Sequence, residues 1–170
     1  MSIQIYKVVN DEQLQRVAAI AEEIWHECFV GIISIEQISY MVKKFQSYDA
    51  MKDQIKNQNY NYFAVECNNK IGGYFAVKPE DDERFFLSKL YLHKSQRGQG
   101  KASIMMKKVF KEALNAGKSK VYLTVNKHND HAIAVYKKTG FSVIDDVKTD
   151  IGSGFIMDDY VMEYNIKNYF

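Results

Sequence analysis

The chain begins with an alternation of apolar and polar residues, the pattern of a half-buried strand. Ile3 and Ile5 supply its apolar positions. Asn10 then precedes Gln13 by three residues, a spacing that resembles a capping box and predicts a helix running to about Cys28. We therefore expect the chain to open with a strand and a long helix.

The same cap spacing recurs at Ser34 and Gln37 and predicts a second helix. Four apolar residues at helical spacing form its expected buried face: Ile35, Ile38, Val42 and Phe45. A shorter helix is predicted after Ser47. The first part of the chain thus contributes mainly helices.

A β-hairpin is predicted from two strand-like segments, 60–67 and 71–78. The turn between them carries three polar residues: Asn68, Asn69 and Lys70. Two adjacent glycines, Gly72 and Gly73, predict a bulge in the second strand.

Strands and helices alternate in the second half of the chain. Aromatic and apolar residues at 85–92 predict a mostly buried strand. Seven residues at three- and four-residue spacing predict the core face of the next helix: Ala102, Met105, Met106, Val109, Phe110, Ala113 and Leu114. Gly117 is expected to end this helix. The remaining predicted elements are a strand at 121–125, a helix at 129–138 stopped by Gly140, and strands at 141–147 and 155–164.

This order of elements predicts an α/β fold with a mixed sheet and flanking helices. With 170 residues, 46% of them hydrophobic, we expect a single domain over 1–170. The net charge of +2 gives no reason to expect nucleic acid or a membrane as a partner. The two cysteines have no metal-ligand spacing, so no metal site is expected. Without a signal-peptide core or a spanning segment, the expected location is the cytoplasm.

The most informative motif is a glycine-rich turn between the strand at 85–92 and the following helix. It comprises seven consecutive residues: Arg97, Gly98, Gln99, Gly100, Lys101, Ala102 and Ser103. Such a turn presents several backbone N–H groups to one point, and the helix dipole adds positive potential there. The motif therefore predicts a phosphate-binding turn.

Two motifs together resemble the GNAT family of N-acetyltransferases, which transfer an acetyl group from acetyl-CoA to an amine. Arg97, Gly100 and Ala102 match that family's phosphate-turn pattern. The later helix and the strand after it match at five residues: Asn129, Ala132, Tyr136, Gly140 and Phe141. The resemblance implies the acyl-CoA N-acyltransferase fold, with acetyl-CoA as co-substrate.

The resemblance also implies roles for individual residues. The diphosphate of CoA would lie on the amides from Arg97 to Ser103, and the pantetheine arm would pair with backbone groups at Leu90, Tyr91 and Leu92. The Leu92 amide would polarise the thioester carbonyl. Asn129 would contact CoA, and Tyr136 would be the general acid that protonates the leaving thiolate.

The sequence departs from the family pattern at the general base. Many relatives carry a Glu in the strand before the turn, where this chain has Phe86. Four residues remain open as alternatives: Glu83, Ser88, Asp158 and Asp159.

The expected function is acetyl transfer to the primary amine of a small molecule. Six acidic residues make a cationic acceptor such as a polyamine conceivable: Glu22, Glu23, Glu27, Glu36, Asp158 and Asp159. The front segment and the sequence at 159–162 resemble bacterial spermidine acetyltransferases of the PaiA type. Three alternatives stay open: a peptide N-terminal or lysine acetyltransferase, a non-catalytic acyl-CoA-binding sensor, and a nucleotide-binding protein. The oligomeric state also stays open, with a homodimer among the alternatives.

Overall fold

The computed structural model describes residues 2–170, so Met1 of the predicted domain lies outside the described residues. Seven strands are present: β1 (Ile3–Lys7), β2 (Asn61–Cys67), β3 (Lys70–Pro79), β4 (Arg84–Leu92), β5 (Lys120–Asn126), β6 (Ser142–Gly152) and β7 (Phe155–Asn165). The α-helices are α1 (Asp11–Cys28), α2 (Ile35–Met41), α3 (Tyr48–Asn57), α4 (Lys101–Asn115) and α5 (Asp130–Thr139). The strands are hydrogen-bonded in the order β1-β2-β3-β4-β5-β7-β6. The expected mixed sheet with helices is therefore confirmed.

The internal contacts of the chain divide it into two compact units. The first unit runs up to Lys78 and also contains Leu87–Lys111. The second comprises Pro79–Phe86 and Glu112–Phe170. A single domain over 1–170 stays a prediction. Within the described residues, no helix has the length and apolar character needed to cross a membrane.

Side-chain caps start the first three helices of the chain where the sequence predicts them. The side chains of Asn10 and Ser34 accept the N–H groups of Gln13 and Gln37, which confirms both predicted starts. The Gln13 side chain accepts the N–H of Val9 at 2.8 Å, one residue before the position that a standard capping box uses.

The second predicted helix is interrupted, which corrects two expectations. It ends as an α-helix at Met41 and continues as a π-helical turn, Val42–Gln46. The wider turn shifts the side chains, so that Gln46 is buried and Phe45 only half-buried, while Ile35 at the helix start is exposed. The helix after Ser47 is α3, which has 10 residues against 7 in α2, so the prediction of a shorter helix is wrong.

The core of the first unit lies between α1, α3 and the hairpin of β2 and β3. Its members are apolar or aromatic residues with almost no exposed surface: Leu14, Val17, Ile24, Met51, Tyr62, Ala64, Tyr74 and Ala76. Asn68 and Asn69 both adopt positive φ in the hairpin turn, as a type I′ turn requires. The pairing passes from Val65 with Gly73 to Glu66 with Ile71, which leaves Gly72 as the extra residue and confirms the predicted bulge.

The second unit contains β5, β6 and β7. The helix α4 ends just before Gly117, which has a φ of 73°, so the expected stop is confirmed. The strand β6 runs to Gly152 rather than 147, and its hairpin with β7 closes at the pair of Gly152 and Phe155. The charged residues in the extension beyond 147 are tolerated because β6 is an edge strand with mostly exposed side chains.

One burial prediction also needs correction. The strand β4, predicted to be mostly buried, alternates between buried and half-buried residues. Leu114, expected on the core face of α4, is exposed because it lies in the last turn, next to the end of the helix.

Candidate active site

The predicted phosphate turn connects β4 to α4 within the first unit. Gly98 and Gly100 have φ values of 73° and 75°, which glycine adopts without steric cost. The first bond of the helix runs from the N–H of Ile104 to the carbonyl of Gly100 at 3.4 Å. The preceding N–H groups of Lys101, Ala102 and Ser103 lie at the positive end of the helix dipole. The local geometry is therefore suited to an anion.

Arg97 is engaged within the protein rather than extended from the turn. Its N–H donates to the carbonyl of Lys94 at 3.3 Å, and its Nε donates to the carbonyl of Leu92 at 3.0 Å. A terminal nitrogen of the guanidinium donates to Glu27 Oε1 at 3.0 Å and to Cys28 Sγ at 2.8 Å. Burial raises the pKa of the Cys28 thiol, although Arg97 beside it acts in the opposite direction.

A lysine is buried at the first position of α4. Lys101 is 5% exposed, and its ammonium donates to the side-chain oxygen of Gln96. The Gln99 side chain donates to the carbonyl of Ser95 at 3.4 Å, so both sides of the turn are braced by amide side chains. A cation in the first helical turn is unfavourable to the helix dipole, yet it strengthens the positive potential at the amides.

The end of β4 brings three predicted cofactor residues to the turn. The N–H of His93 donates to the carbonyl of Gly72 on β3 at 2.8 Å. Because successive residues of a strand point their backbone groups to opposite edges, the N–H of Leu92 points away from β3. Leu90 and Tyr91 are half-buried, and the Tyr91 ring contacts the ring of Trp25 at 5.6 Å between centroids. The Leu92 N–H thus takes no part in the pairing with β3, and its contact with the thioester stays a prediction.

The other two predicted residues lie on the second unit. Asn129 is the N-cap of α5, and its side chain accepts the N–H of Ala132 at 3.3 Å. Tyr136 lies two turns later, half-buried, with its ring edge against Phe141 at 5.8 Å. No residue of α5 is fully buried. Their roles toward CoA stay predictions.

Burial raises the pKa of Tyr136 to about 12. This change makes the phenol a weaker acid than in water, whereas a thiol has an ordinary pKa of about 8.5. Complete proton transfer from Tyr136 to a thiolate is then uphill in the protein without cofactor. The hydroxyl remains protonated at neutral pH and is suited to donating a hydrogen bond to sulfur.

The four candidates for the general base differ in their surroundings. Glu83 is ion-paired with Lys120 at 3.0 Å, and Asp158 is ion-paired with Lys127 at 3.0 Å. Ser88 is half-buried on the same face of β4 as Phe86. Asp159 is 5% exposed, and burial, with the nearby Asp158, raises its pKa to about 6. A carboxyl group with this pKa can accept a proton near neutral pH.

The strand β4 carries a buried lysine, Lys89, that was not among the predicted site residues. Lys89 is 6% exposed, and its ammonium donates to the carbonyl of Phe45 at 2.5 Å, to Gln54 Oε1 at 3.0 Å and to the Tyr62 hydroxyl. Burial lowers its pKa to about 7, while the three acceptors favour the ammonium form. The alternation of β4, which places Lys89 on the face of Phe85 and Leu87, was a signal that could have found it.

A cavity of about 510 Å³ lies between α1, the π-helical turn and the start of α3. Its polar lining includes Glu22 and His26 from α1 and Lys43 and Gln46 from the π-helical turn. His26 Nδ1 lies 2.9 Å from the carbonyl of Glu22, and the Gln46 side chain accepts the hydroxyl of Tyr74 at 2.7 Å. The first unit therefore holds a cavity with an exposed carboxylate and a fixed amide.

A sequence model of the acetyltransferase (GNAT) family matches residues 18–141 of this chain. The chain belongs to the GNAT family. An uncharacterised N-acetyltransferase of Mycobacterium tuberculosis is 30% identical to the enzyme over 127 residues, which cover 75% of this chain and 81% of the relative. The spermidine N(1)-acetyltransferase of Thermoplasma acidophilum is 28% identical over 167 residues, 93% of this chain and 97% of that one.

The fold of this GNAT enzyme also matches a solved structure. The crystal structure of the PaiA N-acetyltransferase of Thermoplasma acidophilum in complex with coenzyme A has a TM-score of 0.81 and 23% identity. The match covers 97% of this chain and 99% of that one. The predicted family, fold and class of acetyl-CoA-dependent N-acetyltransferase are confirmed.

Replacement of Gly73 by alanine tests the geometry at the end of β4. A Cβ at Gly73 would lie 2.6 Å from the carbonyl oxygen of Tyr91, so the backbone of β4 must move. We expect kcat/KM for acetyl-CoA to fall by roughly tenfold or more in the Gly73→Ala enzyme, because small displacements near reacting groups are costly. Steady-state kinetics measure this.

Gly154→Ala is the control for that variant. Gly154 lies in the turn between β6 and β7 with a φ of 79°, and an added Cβ would have no atom within 4 Å, so the substitution strains the backbone without displacing a neighbour. We expect kcat/KM to change by no more than about twofold in the control, as for a surface substitution. Equal losses of kcat/KM in the two variants would show that the close approach of Gly73 to β4 does not affect catalysis.

Replacement of Asp159 by asparagine tests the buried carboxyl group. Its pKa is 3.8 in the unfolded chain and about 6 in the folded enzyme, so the folded state binds the extra proton between these values. The free energy of unfolding therefore falls as the pH rises through this window. We expect Asp159→Asn to be more stable than the wild type by about 2 kcal/mol at about pH 7.5, as measured by urea unfolding.

The control for the stability measurement is Asp82→Asn. Hydrogen bonds from Arg84 lower the pKa of Asp82, so its contribution to stability is lost as the pH falls. We expect this variant to be slightly less stable at neutral pH. If Asp159→Asn behaved in the same way, a raised pKa of Asp159 would be ruled out.

Proposed function

We propose that the enzyme transfers the acetyl group of acetyl-CoA to a primary amine of a cationic small molecule, with polyamines as the expected class. The observation that carries the proposal is the carboxylate of Glu22 in the cavity of the first unit. Similarity to a spermidine N(1)-acetyltransferase over 93% of the chain supports it. Free thiols at Cys28 and Cys67 support a reaction in the cytoplasm.

The proposed contact for the amine on the surface of α1 is Glu22. A second cavity, of about 630 Å³, shares Glu22 and His26 with the first and is also lined by Glu23, Glu27 and Lys94. Glu23 lies 2.8 Å from His93, and Glu27 is paired with Arg97 at 3.0 Å, so both of these carboxylates are engaged within the protein. Glu22 is therefore the carboxylate of this surface that is proposed to bind an ammonium group.

Acetyl transfer then follows from direct attack. The nitrogen lone pair of the neutral amine attacks the thioester carbon, the C–S bond breaks, and the amine loses its proton. The Leu92 amide is proposed to bind the carbonyl oxygen as negative charge develops on it. Tyr136 is proposed to donate a hydrogen bond to the leaving sulfur. Asp159, with a pKa of about 6, is proposed to accept the proton of the amine.

The cofactor is proposed to bind through the backbone of the turn and of β4. The amides from Gly98 to Ser103 hold the diphosphate of CoA at the positive end of α4. The pantetheine amides pair with β4 near Leu90 and Leu92, as an added strand would. Asn129 contributes a contact from the start of α5.

A second candidate is a non-catalytic acyl-CoA-binding protein. Phe86 favours it, because this residue stands where many relatives carry a catalytic Glu and stacks on the ring of Tyr122 at 4.8 Å. Tight binding of acetyl-CoA in calorimetry without acetylation of any amine in a broad panel would favour this candidate. Acetylation of peptide N-termini but not of polyamines would reject the polyamine proposal alone.

Replacement of Tyr136 by phenylalanine tests its role toward the thiolate. We expect kcat to fall by roughly a hundredfold, because the leaving sulfur loses its hydrogen-bond donor, while the Kd for CoA stays unchanged. Tyr160→Phe is the control, since Tyr160 has no proposed role and packs its ring beside Lys127. Full turnover of the Tyr136→Phe enzyme would reject the role.

Replacement of Glu22 by glutamine tests the acceptor cavity. We expect KM for a polyamine to rise by roughly tenfold and KM for acetyl-CoA to stay constant, because a charge-assisted contact to the ammonium group is lost. Glu12→Gln, at the exposed start of the same helix, is the control for the loss of one negative charge. An unchanged KM for the polyamine would exclude Glu22 from the acceptor site.

A further inference from the structure

One carboxylate of α1 contacts the short segment that connects β4 to the glycine-rich turn. Glu27 Oε1 accepts the backbone N–H of Lys94 at 3.0 Å and the guanidinium of Arg97 at 3.0 Å. The side chain of Glu27 is 18% exposed, so these charge-assisted bonds are partly shielded from water. A single side chain thus holds the chain at Lys94, before the turn, and at Arg97, where the turn begins.

Arg97 extends this attachment to the strand. Its Nε donates to the carbonyl of Leu92, whose own N–H is the proposed contact of the thioester oxygen. The path from Glu27 through Arg97 to Leu92 consists of two hydrogen bonds of 3.0 Å each. The turn is therefore held to α1 through Arg97, whereas the end of β4 is also held by the bond from the N–H of His93 to the carbonyl of Gly72 and does not depend on Glu27 alone.

The basic groups of the segment face the acidic residues of α1. His93 Nε2 lies 2.8 Å from Glu23 Oε1 and 3.8 Å from Glu27 Oε2, and Lys94 Nζ lies 3.9 Å from Glu27 Oε2. These contacts direct the side chains of the turn toward α1. The amides that follow, from Gly98 onward, are not involved in them.

We infer that Glu27 is a positioning residue for the diphosphate of acetyl-CoA, acting through Arg97 and the N–H of Lys94 to hold the turn in its binding conformation. The inference rests on the proposed binding of CoA at this turn. Glu27 itself is not expected to touch the cofactor. Its loss should weaken interactions with the diphosphate more than those with the pantetheine arm.

The test compares two acetyl donors with the Glu27→Gln enzyme. Acetyl-CoA carries the diphosphate, whereas S-acetyl-pantetheine lacks it. We expect KM for acetyl-CoA to rise by roughly fivefold or more, since a charged hydrogen-bond acceptor is lost. KM for S-acetyl-pantetheine and kcat with either donor should stay within about twofold, because the thioester contacts are unchanged.

Glu66→Gln is the matched control. Glu66 is half-buried on β2 in the same unit and accepts the hydroxyl of Tyr6 at 3.1 Å, far along the chain from the turn. We expect it to leave the ratio of the two KM values at the wild-type level, because its hydrogen bond is not connected to the turn. A merely structural role of Glu27 would give the same unchanged ratio.

A double-mutant cycle with Arg97→Gln adds a second readout. If Glu27 acts through Arg97, the double variant should bind CoA no more than about twofold more weakly than the weaker single variant. Additive losses, or equal losses with both acetyl donors, would overturn the inference. Failure of the wild type to bind CoA in calorimetry would overturn the proposed function and this inference together, whereas normal binding with an unaffected Glu27→Gln enzyme would overturn the inference alone.

Discussion

The exposed amides at the positive end of α4 constrain the conformation of the turn before the helix, and the neighbouring parts of the first unit support that conformation. Helix amides attract an anion only if the chain reaches the helix without covering them, and Gly98 and Gly100 achieve this with positive φ values. The turn must also be held firmly. A flexible anion site binds more weakly, because part of the binding free energy is used to order it. Glu27, Arg97 and Gln96 provide this support from three sides.

Burying the ionisable groups of Lys89 and Asp159 costs free energy, because each group loses its contact with water. Lys89 is enclosed by three acceptors, at the point where the π-helical turn, α3 and β2 meet. Asp159 lies within a β-sheet with its carboxyl group buried. At Lys89 the three hydrogen bonds offset part of this cost, and an apolar residue there would leave the acceptors without a donor. Lys89 thereby fixes the backbone of the π-helical turn, which lines the cavity beside α1, while Asp159 is the proposed base.

The order of helices and strands could be predicted from caps, periodicity and glycines, because each of these is a local signal. The Asn10, Ser34 and Ser47 caps and the bulge at Gly72 are examples. The π-helical turn at Val42–Gln46 could not be predicted, since its extra residue depends on tertiary contacts such as the bond from Tyr74 to Gln46. The length of β6 was missed because its partner β7, not its own polarity, keeps it extended.

The parts of the candidate site that depend on backbone conformation could be predicted from the sequence. The turn and the N-cap at Asn129 follow from residue type and spacing alone. The direction of the Arg97 side chain depends on Glu27, 70 residues earlier in the chain, and no local pattern reveals such a partner. The buried environment of Lys89 and the raised pKa of Tyr136 could not be predicted either, because both depend on residues distant in the sequence.

The absence of fully buried side chains in α5 has an energetic consequence. A helix of 10 residues that buries no residue completely depends on its own backbone bonds, on its cap at Asn129, on the bonds that close it at Gly140 and on the packing of Tyr136 against Phe141. Such a segment opens locally at low free-energy cost, and its amides exchange with solvent faster than those of the core. A ligand that packs on α5 must spend part of its binding energy on ordering the helix, so its measured affinity reports helix formation as well as contact.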